Sequence, residues 1–249
     1  PRIRARRSAV TRRQGRRRLR LLLLVVAVVA LAVGAWALLH SGVLAARVVR
    51  VEGSAHTPTA EIVAVAGLAH HPPMIDVDPG ATAARLERLP WVARATVARH
   101  WPDGVVVTVV ERRPVAVVDA APPALPWALV DRTGRVLADA ATPPTGLVHL
   151  VVPGAPGAPG TTLPTAAGAG LRVAASLPPA FSGQVATVQV GKGGVVVLDL
   201  TTPVTVDLGT ASQLHQKYED TAAMLAGAPL VAGDVIDVSV PDSPVVSPS

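Results

Sequence analysis

From Leu21 to Leu39 the chain reads LLLLVVAVVALAVGAWALL, and no charged residue falls between Arg20 and Arg47. A core helix of a soluble protein keeps a polar stripe toward water, and this run has none. As a helix, residues 21–39 would span roughly 28 Å, close to the hydrocarbon thickness of a bilayer. The pattern therefore predicts a transmembrane helix over 21–39. After it the periodicity shortens. Runs rich in Val and Thr, four to eight residues long, are punctuated by Pro and Gly, and four helical patterns interrupt them.

The first such stretch, residues 47–114, predicts the order β-α-α-β-β. Val48, Val49 and Val51 form a strand that stops at Gly53. Thr57-Pro58 opens a helix with a hydroxyl cap and a first-turn Pro. Glu61 suits its dipole, Ile62, Val65 and Ala66 share a face, and Gly67 ends it. Asp78-Pro79 repeats the start signal for a second helix, which turns Leu86 and Leu89 inward and stops at Pro90. Two strands follow, Trp91 to Arg99 and Val105 to Glu111, about the turn Trp101-Pro102-Asp103-Gly104.

The second stretch, residues 115–241, reads as a β-rich module with an antiparallel sheet and two helices. Strands are expected at Val115–Val118, Trp127–Asp131, Val136–Leu137, Val185–Val190, Val195–Leu200, Val204–Leu208 and Val235–Val240. Residues 153–164, PGAPGAPGTTLP, read as a loop. One helix runs from Thr165 to Leu177, with Gly168 and Gly170 weakening it. The other is opened by the capping-box spacing of Thr210 and Gln213, carries Leu214, Tyr218, Thr221 and Leu225 on one face, and ends at Gly227. Residues 242–249 are expected to be a flexible tail. The whole is an α+β chain.

Charge changes the picture at one end. Residues 1–20 hold ten Arg and no acid, so removing them from the net +6 leaves −4 for the body. The tail alone would suggest nucleic-acid binding, but no aromatic residues are interleaved with it. Placed directly before an apolar rod, it obeys the positive-inside rule instead. Residues 1–20 are then a cytoplasmic Arg-rich tail, held at the inner leaflet by about 1 kcal/mol per Arg. Everything beyond about residue 40 lies outside. A cleaved signal peptide is the competing reading, since Ala35-Trp36-Ala37 has small-x-small form, although the run through Leu39 exceeds the usual signal core. Both readings place residues 47–249 across the membrane. With no Cys, disulfides, thiol nucleophiles and thiolate metal sites are excluded.

Candidate chemistry is sparse. No nucleophile elbow, Ser-x-x-Lys set or His-Glu-x-x-His motif occurs. Gly191-Lys192-Gly193-Gly194 lacks the upstream Gly and following hydroxyl of a phosphate loop and reads as a hairpin turn. His70-His71 has no carboxylate nearby and reads as a solvated loop rather than a metal site. Of Asp76 and Asp78, the latter is accounted for as a cap. Two features stay open: Glu111-Arg112-Arg113 is a docking patch or an ordinary strand end, and Tyr218 is a core residue or part of an interface. No catalytic residue, cofactor, metal or small-molecule substrate is indicated.

The β-α-α-β-β order resembles a POTRA domain, and the wording resembles the FtsQ/DivIB family of bacterial cell-division proteins. The resemblance is carried by Val51-Glu52-Gly53, Glu61-Ile62, Leu89-Pro90-Trp91-Val92, Ala95-Thr96-Val97-Ala98-Arg99, Trp101-Pro102 and Glu111-Arg112-Arg113-Pro114-Val115-Ala116. The C-terminal IDVSVPDSPVV is similar as well, so the likeness runs along the whole chain. Ser54 and the His70-His71-Pro72-Pro73 loop depart from it. The resemblance implies a non-catalytic divisome scaffold, single-pass in the cytoplasmic membrane at the septum. Its implied partners are FtsB/DivIC-type and FtsL-type proteins, with the FtsW–FtsI synthase pair nearby. The physical mode expected is β-augmentation at the C-terminal strand, because that strand comes last. Val235, Ile236, Asp237, Val238, Ser239 and Val240, with Tyr218, are the candidate partner-binding residues; Ile236, Val238 and Val240 would share one face. The alternatives are a POTRA-bearing chaperone or translocation factor for unfolded polypeptides, which would normally continue into a β-barrel, and a membrane-anchored enzyme with an unrecognised site.

Overall fold

The computed structural model describes the backbone of residues 2–120, 125–227, 229–241 and 243–248, and side chains from Leu19 onward. Helix α1 (Arg2–Leu39) runs without a break through the Arg-rich stretch and the apolar run. Arg is a good helix former and no Pro interrupts residues 2–39. Within it, Leu19–Leu39 is long and apolar enough to cross a membrane, and its large apolar side chains up to Leu38 are more than half exposed.

The chain forms two compact units. One holds the chain up to Leu86 together with Ala95–Val109; the other holds Glu87–Arg94 together with the chain from Val110 on. The first contains β1 (Val48–Glu52), α2 (Thr59–Ala66) and α3 (Pro79–Leu86), and it shares with the second the strands β2 (Val92–His100) and β3 (Gly104–Glu111). The sheet order is β1-β3-β2, with β1 parallel to β3 in the register Val48↔Gly104 to Glu52↔Thr108. Ile62, Ala66, Leu68, Met74, Leu86, Val105 and Val107 are buried.

Local signals act here as their chemistry requires. Gly67 ends α2 at φ 77°, where a Cβ would be strained. Asp78 Oδ1 accepts the N–H groups of Gly80 at 2.8 Å and Ala81 at 3.1 Å, capping α3. Two expectations shift. Pro58 takes the cap position of α2 itself, and Thr57 is buried just before it. Helix α3 ends at Leu86, so Leu89 lies beyond it and is half-buried.

The second unit is built on a nine-stranded sheet. Its strands are β4 (Pro114–Asp119), β5 (Trp127–Asp131), β6 (Val136–Ala140), β7 (Val148–Val151), β8 (Val185–Val190), β9 (Val195–Leu200), β10 (Thr205–Thr210), β11 (Val235–Asp237) and β12 (Val245–Ser247). The order is β12-β11-β10-β9-β8-β7-β4-β5-β6. The sheet is mixed rather than antiparallel: β4 with β7, β7 with β8, and β10 with β11 pair in parallel. Strand β7 was not foreseen, being four residues beside a Pro- and Gly-rich loop. Helix α4 (Gly168–Ser176), preceded by a 3-10 turn over Thr165–Ala167, packs on the sheet; α5 (Pro179–Ser182) and α6 (Leu214–Gly227) complete the unit.

Gly170 explains why α4 tolerates glycine. A Cβ there would stand 2.5 Å from both Leu150 Cδ1 and Val190 Cγ2. The residue that weakens the isolated helix is the one that lets it approach the sheet. The core between helices and sheet includes Ala116, Val130, Leu150, Val173, Val188, Leu198, Leu208 and Ile236.

Candidate functional site

The C-terminal end of the sheet differs from expectation in three ways. First, β11 covers only Val235–Asp237. Pairing continues one residue further through Val238 N–H, which donates to Asp207 O at 3.0 Å, and then the chain turns away. Second, the supposed tail forms β12, antiparallel to β11 in the register Val235↔Ser247, Ile236↔Val246 and Asp237↔Val245. Strand β11 is therefore an interior strand between β10 and β12, and β12 occupies the edge. An apolar pair of Val residues lacking charge is enough to close a ladder that sequence order left open. Third, Ile236 and Val238 are fully buried whereas Val240 is 62% exposed, so the three do not share a face. Val235, Asp237 and Ser239 are half-buried.

The edge is held by a charged device that the sequence did not disclose. Asp207 and Asp237 are register partners on β10 and β11. Each folds its carboxylate back onto its own backbone: Asp207 Oδ1 accepts Gly209 N–H at 2.7 Å, and Asp237 Oδ1 accepts Ser239 N–H at 2.8 Å. Gly209, at φ 59°, sits in a β-bulge where a Cβ would come within 2.8 Å of Ser239 Cβ. Lys217 of α6 is 1% exposed and donates to Leu208 O at 2.7 Å and Thr210 O at 2.9 Å. Burial lowers its pKa, while the charges of Asp207 and Asp237 oppose that shift. The available signal was position: Lys217 lies on the stripe of Leu214 and Thr221, which faces the core.

Helix α6 begins at Leu214, without the predicted capping box. Thr210 still belongs to β10, and Gln213 stands before the helix at φ 51°. Tyr218 is a core residue, 6% exposed. Its hydroxyl lies 3.0 Å from Ser176 Oγ and donates to Val173 O at 3.3 Å. Burial raises its pKa, and the Ser176 contact offsets part of that rise. It therefore presents no free face at the edge. It floors a cavity of about 490 Å³ between α5 and α6, with Phe181, Ala222 and Leu225. Among the described residues, no three His, Asp or Glu side chains converge as metal ligands would.

Comparison with known proteins bears on this arrangement. The family model for the POTRA domain, FtsQ-type, matches residues 44–112, which hold β1 through β3. Cell division protein FtsQ of Streptomyces collinus is 31% identical over 244 residues, covering 94% of this chain and 90% of that protein. The chain belongs to the FtsQ family. FtsQ of Streptomyces bingchenggensis is 32% identical over 249 residues, covering 95% of this chain and 91% of the relative. FtsQ of Mycolicibacterium smegmatis is 34% identical over 223 residues, and the chain spans 62% of that protein's length. The alignments with both Streptomyces FtsQ proteins cover most of the chain, well beyond the POTRA domain.

Proposed function

We propose that this FtsQ-family chain is a non-catalytic scaffold of the division apparatus. Helix α1 anchors it in the cytoplasmic membrane at the septum, with the Arg-rich end in the cytoplasm and the chain beyond about residue 40 outside. Its partners are FtsB/DivIC-type and FtsL-type division proteins, with the FtsW–FtsI synthase pair nearby. We assign partner capture to strand addition at the β11–β12 end of the sheet. The observation that carries this reading is the open edge of β12.

The sheet has two edge strands, β12 and β6. The start of β6 is already paired: Val136 N–H donates to Thr161 O at 2.9 Å, and Val136 O accepts Gly160 N–H at 2.8 Å. Among the described residues, strand β12 has β11 on one side and no strand on the other. Val245 is 55% exposed and Val246 half-buried, so apolar side chains flank the free ladder. An incoming strand finds backbone groups to pair with and apolar neighbours to cover.

Proline scanning separates the ladder from the fold. Alternate N–H groups of a strand point outward, so Pro placed in turn at Val245, Val246 and Ser247 removes an outward donor in at least one variant. That variant should lose co-purification with an FtsB-type partner while its unfolding temperature stays within a few degrees of the parent. Undiminished capture by all three would defeat the assignment. Val238→Pro is a poorer probe, because Val238 is fully buried and its N–H is already bonded.

The anchor has its own test. Asp at the centre of a membrane helix costs about 3 kcal/mol per residue. Val28→Asp combined with Val29→Asp should move the chain out of the carbonate-resistant membrane fraction. Retention there would mean that α1 does not hold the chain in the bilayer.

A further inference from the structure

The Glu111-Arg112-Arg113 motif divides in the structure. Arg112 is committed: it donates to Asp131 Oδ2 at 2.8 Å and to Val92 O at 3.1 Å. Asp131 is buried and also accepts the Thr133 N–H, the Thr133 hydroxyl and the Arg135 N–H. The two charges are paired with each other, and both residues also line the cavity beside them. Arg113 is exposed, and with Arg132 and Arg172 it lines a cavity of about 670 Å³ in the second unit. The three come from separate segments: the β3–β4 connection, the β5–β6 turn and α4. Among the described residues, none of the three side chains makes a hydrogen bond or an ion pair. Val115, Leu171 and Ala175 give the lining an apolar part, and Glu111, Thr133 and Ser176 also belong to it.

The charged lining is Arg112, Arg113, Arg132 and Arg172 against Glu111 and Asp131, a local surplus of positive charge in a body whose net charge is −4 once the tail is set aside. An acidic ligand would balance that surplus. Guanidinium forks match carboxylates in pairs of hydrogen bonds. The apolar part of the lining adds a second requirement, which a bare anion does not use. We propose that this cavity is a second docking site, which takes an acidic, partly apolar peptide segment of a partner chain. It is separate from the β12 ladder and goes beyond the strand-addition reading, because it selects by charge rather than by backbone pairing.

The test uses the full chain in phosphatidylcholine nanodiscs. The probe is a fluorescent peptide alternating Glu and Leu, compared with its Gln/Leu counterpart by anisotropy. The acidic peptide should bind more tightly than the neutral one. The triple variant Arg113→Gln, Arg132→Gln, Arg172→Gln should lose affinity by about tenfold or more, the equivalent of one charge-assisted contact. Its melting temperature should match the parent's, since none of the three side chains has a partner to lose. Binding that survives the triple variant would belong to the unaltered Arg-rich tail and would overturn the proposal. So would equal affinity for the two peptides. Phosphatidylglycerol vesicles that displace the peptide, with weakened binding to the triple variant, would reassign the cavity to lipid headgroups. The β12 proline variants should bind the acidic peptide as the parent does, so failure of either reading leaves the other standing.

Discussion

Arg112→Met should destabilise the second unit by about 3 kcal/mol at neutral pH, because it strips a buried carboxylate of its counter-charge. For a chain of this size that corresponds to a fall of roughly 8 °C in its unfolding temperature. Asp131 is 2% exposed, so water cannot replace the guanidinium. Burial by itself would raise the Asp131 pKa; the bonds from Thr133, Arg112 and Arg135 outweigh it and hold the carboxyl below its usual range. A carboxyl held low in the folded state contributes stability above the ordinary carboxylate pKa, and that stability is lost as pH falls through the depressed value. The penalty of Arg112→Met should therefore be greatest at neutral pH and shrink in acid, as Asp131 takes up a proton in both proteins. Melting curves from pH 7 downward read this directly. A penalty independent of pH would show that Arg112 acts through its stem packing rather than its charge.

Lys217→Ala should be the other severe change. It removes two charge-assisted hydrogen bonds, to Leu208 O and Thr210 O, and leaves a cavity where the stem lay. With each such bond contributing about 2 kcal/mol, a loss of at least 3 kcal/mol is expected. Lys217→Met keeps the stem and should lose less, so the difference between the two variants isolates the packing. The pH dependence runs opposite to that of Asp131. Desolvation lowers the Lys217 pKa, so the folded state holds this proton less tightly than the unfolded state does. Stability from this group accordingly rises as pH climbs from the depressed value toward the ordinary lysine range. In the Met variant that alkaline rise should be absent. Because β10 carries β11, and β11 carries β12, both variants should also weaken capture of a partner at the edge. Full capture with a loosened α6 would mean that the edge is positioned without this pin.

The local elements could be read from the chain because their causes lie within a few residues. An apolar run with no polar stripe suffices for a membrane-length helix. Asp78-Pro79 states a helix start, Gly67 a stop, and alternating Val residues around Gly191-Lys192-Gly193-Gly194 state a hairpin whose strands appear at the predicted limits. The POTRA wording from Leu89 to Ala116 was equally local. Strand β7 carried too little pattern to stand out from its Pro- and Gly-rich surroundings.

What the tertiary structure alone decided is non-local. Parallel pairs such as β4 with β7 join segments about thirty residues apart, and no turn residue announces them. Which strand forms the edge depends on whether a later segment folds back, and Val245–Ser247 does so through backbone pairing that its side chains barely encode. Lys217 reads as a solvated charge until β10 lays two carbonyls beneath it. Arg113, Arg132 and Arg172 are ordinary surface residues until three segments converge. Dihedral preference and hydrophobic period are written residue by residue. Edges, buried charges and shared cavities are properties of contact, and contact exists only once the chain has closed on itself.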